Sequence, residues 1–172
     1  MIAIFGGSFD PPHVGHQSVV LQLLNMSDVD GVIVIPCYEH KFRKQLTEFA
    51  ERIRMCNMAF GIFNDVEIND VEAHIDAKGS MIETIKHLKK ETECELALAI
   101  GTDNYKQRDR WDRFDELRKL VRIIVLERPT ESVSSTQIRE LLHQGCDASA
   151  SDMLPGSVAS YIYQNKLYTN TG

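Results

Sequence analysis

No two cysteines of this 172-residue chain stand in a CxxC spacing. The four present, Cys37, Cys56, Cys94 and Cys146, are far apart. That spacing argues against a zinc ribbon and a disulfide framework, and fits reduced thiols in a cytoplasmic protein. No apolar run is long enough to span a bilayer, and Met1 leads into a short strand-like run without a basic leader, so neither membrane insertion nor export is expected. An excess of positive charge is also lacking: 19 Lys and Arg stand against 25 Asp and Glu, a formal net charge of −6. Broad nucleic-acid binding runs on basic side chains neutralising phosphates, so it is not expected here, whereas a local basic cluster still suffices for a small anion. Internal repeats and low-complexity tracts are absent too. What remains, 43% hydrophobic and 26% charged, fits one compact domain over residues 1–172 with a sizeable core.

The chain alternates β-branched apolar runs with amphipathic stretches. Strands are expected at Ile2–Phe5, Val32–Ile35, Val66–Ile68, Leu96–Ile100 and Arg122–Leu126. Helices are expected at Gly15–Leu24, Thr47–Ile62, Ser80–Lys90, Arg113–Leu120, Ser135–His143 and Pro155–Gln164. Thr47 and Ser135 serve as candidate N-caps, Gly145 marks a helix end, and Pro155 suits a first helical turn. Such alternation predicts an α/β fold, a doubly wound parallel sheet with helices on both faces. Ligands of such sheets sit beyond the carboxyl ends of strands where strand order reverses. Three loops qualify: Gly6–His16, Pro36–Lys44 and Gly101–Trp111. If the first and fourth strands are neighbours, their glycine-bearing loops face each other across one crevice.

The first loop reads Gly6-Gly7-Ser8-Phe9-Asp10-Pro11-Pro12-His13-Val14-Gly15-His16. It is neither GxGxxG nor GxxxxGK[ST]. A strand that breaks into glycines and re-emerges as a helix aims backbone N–H groups at the gap, which suits phosphate. His13 and His16 add side-chain donors, and Gly15 leaves no side chain between backbone and ligand. A lone histidine here reads as a satisfied group in a capped turn; the whole string reads as a phosphate site. A histidine metal site needs further ligands from His40 or His74, and nothing in the spacing supplies them. The second segment is Ser132-Val133-Ser134-Ser135-Thr136-Gln137-Ile138-Arg139. Consecutive hydroxyls at a helix start, with Arg139 a turn further on the face of Ser135, can hold a charged phosphate tail as readily as they can cap a helix.

These two segments resemble the GGxFDPxHxGH and [IV]SSTxIR motifs of the HxGH nucleotidyltransferase superfamily, and within it the bacterial nicotinate-nucleotide adenylyltransferase family. Gly101-Thr102-Asp103 with Trp111 is similar to that family's GxD…W stretch, and Leu154-Pro155-Gly156-Ser157-Val158 with Leu167-Tyr168 to its closing helix and tail. The resemblance implies a Rossmann-like fold and adenylyl transfer from ATP, with Mg2+, to nicotinate mononucleotide, releasing pyrophosphate in NAD biosynthesis. It implies His13, His16, Lys41 and Arg139 as catalytic residues. Gly6, Gly7, Ser8, Phe9, Gly101, Asp103, Ser134, Ser135 and Thr136 fall to ATP, and Trp111, Met81 and Thr84 to the pyridine nucleotide; no protein metal ligand is implied.

Two departures keep neighbouring activities open. Gly79-Ser80-Met81 stands where the family has SYT, and only Thr130 and Glu131 separate Pro129 from Ser132, where the family carries a longer insert. Nicotinamide mononucleotide, pantetheine phosphate, cytidylyl transfer and a non-catalytic nucleotide sensor are the alternatives. Assembly, as monomer or homo-oligomer, is not fixed by these residues.

Overall fold

A computed structural model of the chain describes residues 1–39, 46–111, 113–127 and 133–169. Among them, five strands form one parallel sheet: β1 (Ile2–Gly7), β2 (Gly31–Pro36), β3 (Val66–Ile68), β4 (Leu96–Gly101) and β5 (Arg122–Leu126), in the order β3-β2-β1-β4-β5. Every expected strand is present, and β1 and β4 are neighbours, with Ile4 opposite Leu98. Strand order reverses between them, so the switch point lies beyond Gly7 and Gly101.

Side chains alternate across this sheet as the strand period requires. Ala3 and Phe5 of β1, Val32 and Val34 of β2, Ala97 and Ala99 of β4, and Ile124 and Leu126 of β5 enter one core. That core is shared with α1 (Val14–Leu24), α2 (Phe49–Phe60), α6 (Ser135–His143) and α8 (Gly156–Gln164). Ile4, Ile35, Leu96, Leu98 and Ile100 enter the other, with α3 (Met81–Glu91) and α5 (Phe114–Leu120). Burial on both faces explains the continuous apolar runs of β1, β2 and β4. The fold is therefore an α/β, Rossmann-like doubly wound sheet.

Short elements escaped the periodicity. The helices α4 (Thr102–Lys106) and α7 (Asp147–Ser151), and single 3-10 turns at Val71–Ala73 and Arg108–Arg110, are polar and too short to show a stripe. Caps moved by one position or changed role. Ser134, not Ser135, caps α6: its Oγ accepts the Gln137 N–H at 3.2 Å. Thr47 is not the cap of α2; Glu48 holds that position, and Thr47 instead donates its N–H to Asp10 Oδ2 at 3.2 Å. Pro155 sits at the N-cap of α8, one residue before the first turn. Gly145 follows α6 with φ +71°, a left-handed conformation that glycine adopts without penalty.

Candidate functional site

The loop leaving β1 is held by its aromatic residue. Phe9 adopts φ 47°, an uncommon value for a residue with a side chain, and its ring is 1% exposed. Edge contacts to Phe5 at 5.3 Å, Phe60 at 5.7 Å and His16 at 4.9 Å anchor it. Burial of that ring in the core offsets the backbone penalty and aims the chain back over the sheet edge.

His13 occupies the N-cap position of α1, and His16 its first turn. The two rings stack at 3.7 Å with 26° between their planes. The His13 backbone N–H donates to His16 Nδ1 at 3.2 Å. A ring nitrogen that accepts carries no proton, so the neutral His16 ring holds its proton on Nε2. Gly15 packs directly beneath: a Cβ built there lies 3.0 Å from His13 Cε1 and Nδ1, and 3.7 Å from the Val133 carbonyl.

That last contact belongs to the second motif, and others join the two. Ser135 Oγ donates to the Pro11 carbonyl at 2.9 Å, and Arg139 Nη1 to the Asp10 carbonyl at 2.6 Å. Arg139 Nη2 reaches Thr136 Oγ1 at 3.3 Å. The hydroxyls of Ser134, Ser135 and Thr136 are thus each engaged within the protein. Ser134 caps the helix, Ser135 docks the first loop and Thr136 receives the arginine. The Gln137 N–H is taken by the Ser134 cap, which leaves the Ser135 and Thr136 N–H groups and the positive end of the α6 dipole as the features that suit an anion. Asp10 is itself 2% exposed. Its Oδ1 accepts the Tyr168 hydroxyl at 2.6 Å. Burial, then the nearby Asp10 charge, pushes the Tyr168 phenol well above its ordinary range, so it stays a donor.

Beneath the loops after β1 and β2 lie two buried ionic groups that the sequence pattern did not single out. Arg52 of α2 is 1% exposed. Its Nε donates to the Thr47 carbonyl at 2.9 Å, and its Nη1 to the Ser8 and Cys37 carbonyls at 2.9 and 2.8 Å. Glu72 is buried as well, accepting the Tyr38 N–H at 3.0 Å and the Thr84 hydroxyl at 3.0 Å. Burial raises the Glu72 carboxyl, against the pull of those donors and of Arg52. A signal for Arg52 did exist: Phe49, Arg52, Cys56 and Ala59 share one helical face, so the arginine stands on an apolar stripe.

The remaining expected residues fall in three places. Gly6 and Gly7 close β1 and lead into Ser8, and Gly101 closes the neighbouring β4, whose end continues into α4, where Asp103 is exposed in the first turn. Met81 meets Gly6: a Cβ built on Gly6 would collide with Met81 Cε. Thr84 requires correction. It is fully buried, and its hydroxyl is spent on Glu72 and on the Ser80 carbonyl at 3.3 Å, so it cannot touch a ligand and instead supports the buried carboxylate. Trp111 packs edge-on to Phe114 at 6.1 Å and lines a cleft of about 590 Å³ with Tyr105 and Arg108; among the described residues of that cleft neither histidine appears. Lys41 lies outside the described residues, as do His40, Pro129, Thr130, Glu131 and Ser132. Among the described residues no group of three or more His, Cys, Asp and Glu is placed to hold a metal ion, and no helix is long and apolar enough to cross a membrane.

Comparison with known proteins agrees with this arrangement. The cytidylyltransferase-like family model matches residues 4–141. A protein of Anaeromyxobacter dehalogenans named "Probable nicotinate-nucleotide adenylyltransferase" is 32% identical over 97% of this chain and 96% of its own length. One of the same name from Sulfurimonas denitrificans is 34% identical over 81% of this chain and 84% of its own length. Among solved structures, the Plasmodium falciparum nicotinic acid mononucleotide adenylyltransferase complexed with NaAD superposes with a TM-score of 0.78 at 21% identity, covering 97% of this chain and 96% of that one.

Proposed function

We infer that this chain, which belongs to the cytidylyltransferase-like family and within it to the nicotinate-nucleotide adenylyltransferases, joins ATP to nicotinate mononucleotide, forming nicotinate adenine dinucleotide and pyrophosphate in NAD biosynthesis. The observation that carries the reading is the meeting of the two motifs. Ser135 and Arg139 bond the backbone of Pro11 and Asp10, so the donors of α6 and the histidines of α1 surround one space at the switch point.

The reaction needs no protein nucleophile. A phosphate oxygen of the mononucleotide attacks the α-phosphorus of ATP; the new P–O bond forms as the bond to the β-phosphate breaks, and pyrophosphate leaves in line. Positioning and neutralisation of growing negative charge supply the catalysis. His16 donates from Nε2 to an α-phosphate oxygen and His13 serves the β-phosphate. Gly7, Ser8 and Phe9 line the ATP site through backbone, next to Gly6, where Met81 stands close. The first turn of α6 and Arg139 face the triphosphate tail, with Lys41 from the neighbouring loop balancing charge on the leaving group. Asp103, at the end of β4, accepts from the ribose hydroxyls of ATP. Met81 and Trp111 border the acceptor, the tryptophan offering a flat face to its ring. The ATP substrate carries Mg2+, which neutralises phosphate charge. The whole of residues 1–172 serves as one nucleotidyltransferase domain of a cytoplasmic enzyme.

Mixing the protein with ATP and each acceptor in turn, and following pyrophosphate, tests this. Release with nicotinate mononucleotide well above that with nicotinamide mononucleotide is expected. Release with pantetheine phosphate alone, or ATP binding without turnover under every acceptor, overturns it.

A further inference from the structure

We propose that Arg52 is a positioning residue for the ATP phosphates, setting the peptide planes of the two loops that border them; this rests on the adenylyltransferase reading above. The residue cannot touch substrate, being 1% exposed beneath the crevice. What it touches are carbonyls of three separate segments: Ser8 after β1, Cys37 after β2 and Thr47 before α2. The ring of Phe49 lies 5.3 Å from its guanidinium carbon and holds the fork from the side.

The consequence follows from the planarity of the peptide unit. In a trans peptide the C=O and the next residue's N–H point in opposite directions. The Cys37–Tyr38 unit shows this directly: its carbonyl accepts from Arg52 at 2.8 Å, and its N–H donates to Glu72 at 3.0 Å on the far side. The plane is clamped between cation and carboxylate. The Ser8–Phe9 unit has the same cation on its carbonyl, at 2.9 Å, so the Phe9 N–H points away from that guanidinium. A cation on the carbonyl also polarises the unit and strengthens that N–H as a donor. Arg52 thus makes one backbone donor of the phosphate loop better aimed and stronger, and ties the opposite loop to the same anchor. Nη1 serves both loops while Nε of the same planar group holds the Thr47 carbonyl, a span that a lysine's compact ammonium reproduces only in part.

A buried arginine that merely fills the core has a different signature. Its removal costs stability and lowers the amount of active protein, but leaves the KM for ATP alone. Arg52→Gln and Arg52→Lys separate the two, with folding checked by circular dichroism and thermal melting. For folded Arg52→Gln, kcat/KM for ATP falls about 100-fold, as for a misplaced binding group, while the KM for nicotinate mononucleotide moves less than about threefold. Arg52→Lys, keeping charge and part of the bonding, recovers about tenfold of that loss. In the wild type, the Phe9 backbone amide resonance shifts on titration with a non-hydrolysable ATP analogue. Folded Arg52→Gln with kcat/KM for ATP within about threefold of wild type overturns the proposal. So does a wild-type Phe9 amide that stays put under saturating analogue, a result obtainable even if neither variant folds. If wild type itself forms no dinucleotide, it is the functional reading that fails.

Discussion

Gly15→Ala separates chemistry from stability in a single methyl group. Gly15 lies in the first turn of α1, where alanine is the better helix former by up to about 1 kcal/mol. The added Cβ, however, sits 3.0 Å from two atoms of the His13 ring. Ordinary carbon contacts run at about 3.5–4.0 Å, so the ring must yield by roughly 0.5 Å. That ring is 4% exposed and stacked on His16 at 3.7 Å, so displacing it displaces both imidazoles. Overpacking of this kind costs about 1 kcal/mol, which offsets the propensity gain. The melting temperature should therefore stay within about 4 °C of wild type. Catalysis does not share the compensation. A misplacement of about 1 Å can cost a hundredfold, so half of that gives a kcat loss of about tenfold, or roughly 1.4 kcal/mol in the barrier. Pyrophosphate release at saturating ATP and nicotinate mononucleotide, beside a thermal melt, measures both. A kcat within twofold of wild type refutes the reasoning; so does a fall in melting temperature beyond about 8 °C, since the methyl then acts on the fold.

Three further outcomes are expected. His16→Ala lowers kcat by about 100- to 1,000-fold with little change in melting, because it removes a donor to the α-phosphate; unchanged turnover takes His16 out of the mechanism. Tyr168→Phe deletes the donor to buried Asp10 Oδ1, a charge-assisted bond worth about 2 kcal/mol, and lowers the melting temperature by roughly 4–8 °C; no change means the bond is not formed in solution. Glu72 has a folded pKa raised above its ordinary 4.5, so its contribution to stability is full below that value and is lost as pH rises through the folded pKa. Wild type should accordingly lose stability relative to Glu72→Gln as pH rises above the ordinary carboxyl value and through the raised folded one, and a difference in melting that stays flat from acid to neutral pH contradicts the assignment.

The centre of the sheet was legible because β1, β2 and β4 are buried on both faces and so announce themselves as unbroken apolar runs, as in Leu96-Ala97-Leu98-Ala99-Ile100. The two motifs were legible because glycine, proline and hydroxyl residues punctuate the backbone locally. What lay beyond reach was set by distance. Arg52 is recruited by carbonyls up to 44 positions away and Asp10 by a phenol 158 positions away. Sequence pattern placed the N-cap on Ser135; the separate bonds of Ser134 to Gln137, Ser135 to Pro11 and Thr136 to Arg139 tell the three hydroxyls' roles apart. Thr84 was misassigned for the same reason: on α3 its place beside Ile85 and Leu88 points inward, toward a carboxylate that local pattern does not reveal.

The clasp of Tyr168 on Asp10 gives the molecule a temporal order. Synthesis lays down the glycine turn and its histidines first, yet the latch that steadies them emerges only after all five strands have been made. A ribosome-bound chain that stops short of residue 168 carries every residue of its first motif without this fastening on Asp10, so the turn gains that anchor only after the sheet it leaves is complete.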